Sequence, residues 1–254
     1  MNLNRNLNII LVSLLLVCVL AGAVVFTRLR GDDSKKNKTD ETIVSSSTPI
    51  PTIKPKEMLP ELTEYYNKNQ DVIGWIKIEG TPIDYPVMFT PEDNEFYLNR
   101  DFDKNDSKAG TLFIDAKSEI ETPNKNVIIY GHNMKNDTMF GSLSEYRNKS
   151  YYEAHKTITF NTLYDKGTYE ILGAFYAKVL KKSDTTSFRY YHYFGAETEE
   201  EYNEFVNYVK SVRQYDTGVT TQYGDQFITL STCSYHVDNG RFAVVARKIQ
   251  EQEQ

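Results

Sequence analysis

The sequence predicts a mainly β domain whose strands close, or nearly close, into a barrel. Eight short runs rich in β-branched and aromatic residues are separated by Gly, Pro, Asn and Asp. Short runs of even spacing, with few long helices between them, are typical of a barrel rather than of a doubly wound sheet. The runs are 72–80, 83–88, 110–115, 126–131, 156–161, 168–180, 226–233 and 241–249.

Two segments have a helical pattern instead. Residues 57–69 carry apolar side chains at helical spacing and predict an N-terminal helix. Residues 197–215 predict one long helix inserted before the last two strands. Thr198 stands at its N-cap with Glu201 three positions later, which is the spacing of a capping box.

Three segments precede the predicted domain. Residues 1–8 form a short tail, and residues 9–27 contain an uncharged apolar run that is long enough to cross a bilayer. Residues 21–23 resemble a small-residue cleavage site, so a cleaved signal peptide is the alternative. The apolar run continues past that site, which favours an uncleaved transmembrane signal-anchor. Residues 28–56 are polar and rich in Ser, Thr and Pro, which predicts a disordered stalk.

The remainder of the chain is acidic. Residues 57–250 are long enough for one domain with a sizeable core, and a tail follows at 251–254. The first 56 residues hold 8 of the 29 Lys and Arg and 4 of the 35 Asp and Glu, which leaves 21 against 31. No basic stripe is left to neutralise phosphates, so we expect no nucleic-acid partner.

The chain has two cysteines, and they lie in different segments. Cys18 falls within the apolar run and Cys233 ends the seventh β run, so the domain cannot form an internal disulfide. A lone thiol is a reactive group, a partner in a disulfide between molecules, or a buried structural side chain. Arg241 begins the next run, and two antiparallel strands joined by a short loop would bring its guanidinium beside the thiol. That cation favours a thiolate and can donate to a developing oxyanion.

A nucleophilic thiol also needs a base, and the chain has four histidines. His132 follows the fourth β run, at the rim of the predicted sheet, and is the preferred base. His236 is three residues from Cys233 but lies in a polar turn, so it is the second candidate. His155 and His192 stand in aromatic surroundings that predict packing or surface roles. One cysteine with scattered histidines lacks zinc-ligand spacing, so we predict no metal and no other cofactor.

Several motifs of the domain occur together in one known family. TLSTC followed by Arg241, with YGHNM about a hundred residues upstream, resembles a class B sortase, a family of cysteine transpeptidases. The resemblance covers nearly all of residues 57–250 and implies a closed eight-stranded sortase-type β-barrel. Further stretches that carry it are VIGWIKIEGTPIDYPVM, DNEFYLNRDF, AGTLFID and MFGSLSEY.

The resemblance implies a role for individual residues. Cys233 is expected to be the nucleophile, His132 the general acid and base, and Arg241 the group that positions the substrate or its oxyanion. No obvious carboxylate accompanies the histidine, so we expect no Cys-His-Asp triad. Four positions look like the lining of a substrate-binding groove: Asn94, Leu98, Ser231 and Thr232.

The resemblance also implies a reaction and a location. Such an enzyme cleaves an N-P-x-T-type sorting signal of surface proteins through a thioester, and transfers the acyl group to an amine of the cell wall precursor. A pilin-polymerising sortase, a plain cysteine endopeptidase and an adhesion module with an incidental thiol are the alternatives. Because the substrate is outside the cell, we expect the catalytic domain to be extracellular and attached to the cell membrane. The basic residues after the apolar run favour the opposite orientation when charge alone is considered.

Overall fold

The structure is a computed structural model, and it describes residues 56–119 and 126–250. The predicted N-terminal tail, signal-anchor, nearly all of the stalk and the C-terminal tail lie outside these residues. Within the two described ranges, no helix has both the length and the apolar character needed to span a bilayer.

Eight strands form a ring in the order β1-β2-β3-β4-β7-β8-β6-β5, in which β1 also pairs with β5. The predicted mainly β fold with eight strands is therefore confirmed, and each strand end lies within three residues of its predicted position. The strands are β1 Val72–Lys77, β2 Asp84–Met88, β3 Leu112–Ile114, β4 Asn126–Tyr130, β5 Thr157–Thr162, β6 Thr168–Lys178, β7 Phe227–Cys233 and β8 Gly240–Lys248.

The strands β7 and β8 are buried on both faces, which explains their nearly continuous apolar sequences. Successive side chains of a strand point to opposite faces of a sheet. Ile228 and Val244 accordingly join the core inside the ring, to which every strand contributes. Phe227 and Val245 belong to a second core on the outer face. The odd-numbered residues of both strands therefore face outwards.

Within residues 56–119 and 126–250, three α-helices pack around the ring: α1 Pro60–Lys68, α2 Lys149–Ala154 and α3 Glu199–Val212. The last of these covers the outer core, and full burial of each large apolar side chain stabilises the fold by about 1.5–3 kcal/mol. Its N-cap is Thr198, whose hydroxyl accepts a hydrogen bond from the Glu201 N–H at 3.3 Å. The buried residues of α3 are Tyr202, Phe205, Val206 and Val209.

The strands β4, β7 and β8 lie side by side and carry the predicted site. β4 and β7 are parallel and in register up to Tyr130 opposite Ser231. Extended by two residues, the same register brings His132 level with Cys233. In the antiparallel β7–β8 hairpin, Cys233 lies opposite Arg241, as the sequence predicts. Neighbouring strands are only about 4.8 Å apart, so the topology brings the three residues together.

Candidate active site

A cleft of about 350 Å³ lies at the carboxyl ends of β4 and β7 and the start of β8. Cys233, Ser231 and Arg241 are odd-numbered residues of their strands, so this cleft is on the outer face of the ring. Residues from several segments that are far apart in the sequence meet there. All the site residues predicted from the sequence line it: Cys233, His132, Arg241, Asn94, Leu98, Ser231 and Thr232.

Cys233 is the last residue of β7 and carries a free thiol. Its side chain is half-buried and borders the cleft, unlike a structural cysteine enclosed in the core. A position at the end of a buried strand holds the backbone rigidly while leaving the thiol accessible. This combination suits a nucleophile that a peptide must reach.

His132 is oriented by a backbone carbonyl rather than by a carboxylate. Its Nε2 atom lies 2.7 Å from the carbonyl oxygen of Leu98. Because a carbonyl oxygen only accepts, Nε2 is assigned the proton, and the neutral ring then has its lone pair on Nδ1. The backbone of His132 is held as well, since its carbonyl accepts from the Phe140 N–H at 3.0 Å. The histidine is thus fixed in tautomer and in orientation.

Arg241 supplies a positive charge opposite the thiol. One of its terminal nitrogens donates to the Gly240 carbonyl at 3.0 Å, and within residues 56–119 and 126–250 the guanidinium has no ion-pair partner. Guanidinium carries five N–H donors, so most of them are left for a substrate oxygen in the cleft. A half-buried, fixed cation of this kind can stabilise negative charge that develops during a reaction.

Two tyrosines that line the cleft remain neutral. The Tyr190 hydroxyl is 2.9 Å from the Ser231 hydroxyl, and the Tyr130 hydroxyl donates to the Asp115 carboxylate at 3.1 Å. Burial raises the pKa of Tyr190 to about 12, and burial likewise raises the pKa of Tyr130. Neither phenol is therefore ionised near neutral pH, and neither neutralises the nearby guanidinium.

Comparison with known proteins identifies the family. Residues 76–249 match the sortase domain. The chain is 29% identical to sortase B of Staphylococcus aureus (strain NCTC 8325 / PS 47) over 253 residues. This alignment covers 98% of this chain and 99% of that protein. The chain belongs to the class B sortases. It is therefore an enzyme of a cysteine transpeptidase family.

Solved structures agree with this assignment. The S. aureus sortase B-substrate complex superposes with a TM-score of 0.68 at 31% identity, covering 78% of this chain and 88% of that one. A sortase B complexed with triglycine gives a TM-score of 0.68 at 31% identity, covering 78% of this chain and 89% of that one.

The four predicted groove residues of this class B sortase differ in their exposure and in the hydrogen-bond partners of their side chains. Asn94 and Leu98 are half-buried, although the Asn94 side-chain oxygen already accepts from the Ala116 N–H at 2.7 Å. Ser231 and Thr232 are only 1% and 2% exposed. Their hydroxyls are used inside the protein, toward Tyr190 and the Gly131 carbonyl. Both residues shape the wall of the cleft, and their hydroxyls already have partners.

Sequence reasoning missed part of the cleft wall of this sortase. Val179, Tyr190 and Tyr191 line it, from the segment that connects β6 to α3. The aromatic run at 189–194 is visible in the sequence, where it predicts only a packing or surface role for His192. A connecting segment has no periodicity that would reveal the face against which it packs. The amide side chain of Asn133 was also missed, and it contacts the backbone of Cys233.

Two of the other histidines, His236 and His155, have partners that do not line the cleft. His236 lies in the β7–β8 loop, where its Nδ1 is 2.9 Å from the Ser234 hydroxyl and its ring is 4.7 Å from that of Tyr176. It is not among the residues that line the cleft. His155 Nδ1 is 2.8 Å from the Glu79 carbonyl oxygen, and neither residue lines the cleft. The geometry therefore favours His132 as the base.

A second cavity of about 370 Å³ lies at the opposite ends of β7 and β8. Its lining includes Lys166, Asp225 and Lys248 but none of the predicted site residues. In the part of the chain that the structure describes, no cluster of three His, Cys, Asp or Glu residues is placed to hold a metal ion.

Proposed function

We propose that this class B sortase cleaves an N-P-x-T-type sorting signal of surface proteins and transfers the acyl group to an amine of the cell wall precursor. One observation carries the proposal: a thiol, an imidazole and a guanidinium line a single cleft of about 350 Å³. Two similar proteins are described in complex with a substrate and with triglycine, which supports a peptide donor and an amine acceptor.

In the first half-reaction, the Cys233 thiol passes its proton to the Nδ1 atom of His132 while its sulfur attacks the carbonyl carbon of the signal's threonine. The tetrahedral intermediate then expels the following residue's amine, and the C–N bond breaks as His132 delivers a proton to that amine. The product is a thioester between the Cys233 sulfur and the threonine acyl group. Splitting acyl transfer into two steps in this way is nucleophilic catalysis.

In the second half-reaction, the incoming amine attacks the thioester carbonyl. His132 accepts a proton from that amine, a new C–N bond forms, and the C–S bond breaks. The departing sulfur takes this proton back from His132, which restores the thiol and the neutral imidazole. The same imidazole thus acts as acid and then as base. Its fixed Nε2 contact with the Leu98 carbonyl keeps the ring in one orientation through both steps.

Arg241 is the proposed donor to the oxyanion. The backbone N–H of Ser234, directly after the nucleophile, already donates to the Gly240 carbonyl at 3.0 Å. The guanidinium lies in the same cleft and has donors to spare. Removing one oxyanion donor commonly reduces kcat by about 10²–10³-fold.

The test uses the full chain in detergent with N-P-x-T peptides, with and without triglycine, followed by intact mass analysis. We expect an acyl adduct on Cys233 that converts to an amine-linked product, and no adduct on Cys233→Ala. Product formed at the same rate with water alone would instead identify a cysteine endopeptidase. A pilin-polymerising enzyme would prefer a lysine-bearing acceptor peptide to triglycine.

The proposal includes an N-terminal membrane anchor at residues 9–27 and an extracellular domain. It rests on the uncharged apolar run and on the extracellular nature of the substrate. An alkaline phosphatase fusion after residue 56 should be active in a bacterial host, because that enzyme works only after export. An inactive fusion would place the domain in the cytoplasm and overturn this part of the proposal.

A further inference from the structure

The backbone ladder between β4 and β7 ends just before the cysteine and the histidine. Its last hydrogen bond runs from the Gly131 N–H to the Ser231 carbonyl at 3.2 Å. Beyond this point the chain leaves the sheet, turns, and returns through an isolated bridge between Asn133 and Met139. Backbone pairing between the two strands therefore stops one residue short of His132.

Two side chains continue the connection where the backbone stops. The Thr232 hydroxyl donates to the Gly131 carbonyl at 2.7 Å. The Asn133 amide donates to the Cys233 carbonyl at 2.9 Å. The first bond joins the residues that precede His132 and Cys233, and the second joins the residue after His132 to Cys233 itself. We call these two hydrogen bonds the clasp.

We propose that the clasp sets the distance between the Cys233 thiol and the His132 imidazole, so that Thr232 and Asn133 are positioning residues of the reaction. The inference rests on the proposed roles of these two catalytic groups. Both clasp bonds join the segment that follows β4 to the end of β7, and each is anchored next to a reacting residue. Without them, no hydrogen bond among the described residues joins the histidine segment to the end of β7 beyond the Gly131 N–H.

Proton transfer between a thiol and an imidazole is sensitive to small displacements. A shift of about 1 Å in a reacting group can reduce a rate by about 10²-fold. The Leu98 carbonyl fixes the rotation of the His132 ring, but it belongs to a different segment and does not fix the ring relative to β7. The clasp is the contact that joins the two catalytic backbones.

The test compares variants that remove one clasp bond with a matched control. Thr232→Val and Asn133→Ala each remove a donor, whereas Thr232→Ser keeps it. Thr229→Val is the control, because Thr229 is also buried in β7 and its hydroxyl bonds the Asn126 side chain of β4 at 2.9 Å. The control therefore loses an equivalent hydrogen bond between the same two strands, four residues before Cys233.

With the full chain in detergent, we expect kcat to fall about 10–100-fold in Thr232→Val and in Asn133→Ala, with KM changed less than about twofold. Thr232→Ser should stay within about threefold of the unmodified enzyme. Thr229→Val should lower the melting temperature comparably but leave kcat within about twofold. A loss in Thr229→Val equal to that in Thr232→Val would show that general destabilisation, not positioning, explains the effect, and would overturn the proposal.

A second readout needs no peptide turnover. The rate of Cys233 alkylation by iodoacetamide is measured against pH in each variant, and the pH of half-maximal rate is compared with that of His132→Ala. The other charged groups of the cleft (Arg241, Asp115 and Glu95) are unchanged in every variant. Loss of the clasp should move this pH toward the His132→Ala value, whereas a purely structural role would leave it in place.

The clasp should also lose its effect when the histidine is absent. Adding Asn133→Ala to His132→Ala should reduce kcat by less than about twofold, because groups that act as a unit are not additive. A further 10-fold loss in the double variant would overturn the proposal. Equal turnover by Cys233→Ala and the unmodified enzyme would instead overturn the proposed function itself.

Discussion

Replacing Gly110 by Ala should disable the histidine, although Gly110 itself is not a cleft residue. Gly110 has a φ of 60°, and a Cβ placed there would lie 2.5 Å from the Leu98 carbonyl oxygen. That oxygen is the one to which His132 Nε2 bonds at 2.7 Å. The substitution therefore displaces the group that orients the imidazole, although Gly110 does not line the cleft.

The size of the displacement follows from the contact distances. Ordinary contact of a Cβ begins at 3.4 Å, and the added Cβ would also lie 2.6 Å from the Tyr97 carbonyl oxygen. Relief of the overlap with the Leu98 carbonyl therefore takes a displacement of roughly 0.9 Å in a tightly packed interior. If the carbonyl moves away from the ring, the hydrogen bond lengthens from 2.7 Å to roughly 3.6 Å, at which it is no longer made. An imidazole released to this extent should reduce kcat by about 10–100-fold.

Gly218→Ala is the matched control. Gly218 has a φ of 75° and nothing within 4 Å of an added Cβ, so this variant carries the same left-handed strain without a clash. That strain should lower the free energy of unfolding by about 1–2 kcal/mol in both variants. Crowding adds about 1–3 kcal/mol in Gly110→Ala alone.

The assay measures transpeptidation of a saturating sorting peptide to triglycine, together with chemical unfolding of the same preparations. We expect Gly218→Ala to be destabilised but active, and Gly110→Ala to lose kcat at temperatures where it is fully folded. If folded Gly110→Ala kept kcat within about threefold of Gly218→Ala, the Leu98 carbonyl would not be orienting His132 during the reaction.

Three further predictions concern other residues. Arg241→Lys should lower kcat about 10²-fold without loss of folding, because an ammonium lacks the planar fork of donors. Single-turnover kinetics with a saturating peptide would measure this loss, and an unchanged rate would exclude the oxyanion role. Tyr190→Phe should lower stability by about 1 kcal/mol at pH 7 through loss of its bond to Ser231. Because burial raises the pKa of Tyr190 to about 12, the unmodified protein loses stability above pH 10, and urea unfolding should show this difference shrinking at pH 11. Partial burial and nearby cations lower the pKa of His192, so its protonation favours the unfolded chain. Relative to His192→Asn, the unmodified protein should therefore lose thermal stability from pH 7 to pH 5. A difference in melting temperature that stays constant with pH would contradict this.

The strands were predictable because each is short, apolar and bounded by turn residues. The first predicted run, 72–80, extends past the end of β1 at Lys77, because its last residues form the turn that contains Gly80 with a φ of 77°. The N-cap of α3 at Thr198 was also visible, since capping depends on residues three apart. Local patterns thus predicted what local interactions determine.

The candidate site was predictable where chemistry and hairpin spacing coincide. Cys233 and Arg241 flank a short loop, so their pairing across β7 and β8 follows from the sequence alone. The approach of His132 to Cys233 depends on the parallel register of β4 and β7, which residue spacing does not reveal; there the family resemblance supplied the answer. The Leu98 carbonyl was beyond prediction, because every residue has a carbonyl and only the fold selects one.

The two hydrogen bonds of the clasp could not be predicted from the sequence, for a different reason. Asn133 and Thr232 both have side chains that commonly bond to nearby backbone groups, and a local partner would be the default expectation. Their actual partners are Cys233 and Gly131, about a hundred residues away. Such contacts become visible only when the strand order is known.

The parallel pairing of β4 with β7 also has a consequence for folding kinetics. Tyr130 lies opposite Ser231, so the pairing joins residues that are 101 positions apart in the sequence. Closing a loop of this length loses chain entropy before the contact contributes any stabilisation. Non-local pairings of this kind slow the folding of β proteins. Until this pairing forms, the cysteine lacks the register that brings its base beside it. Acylation of Cys233 through His132 therefore requires a chain in which β4 and β7 have already paired.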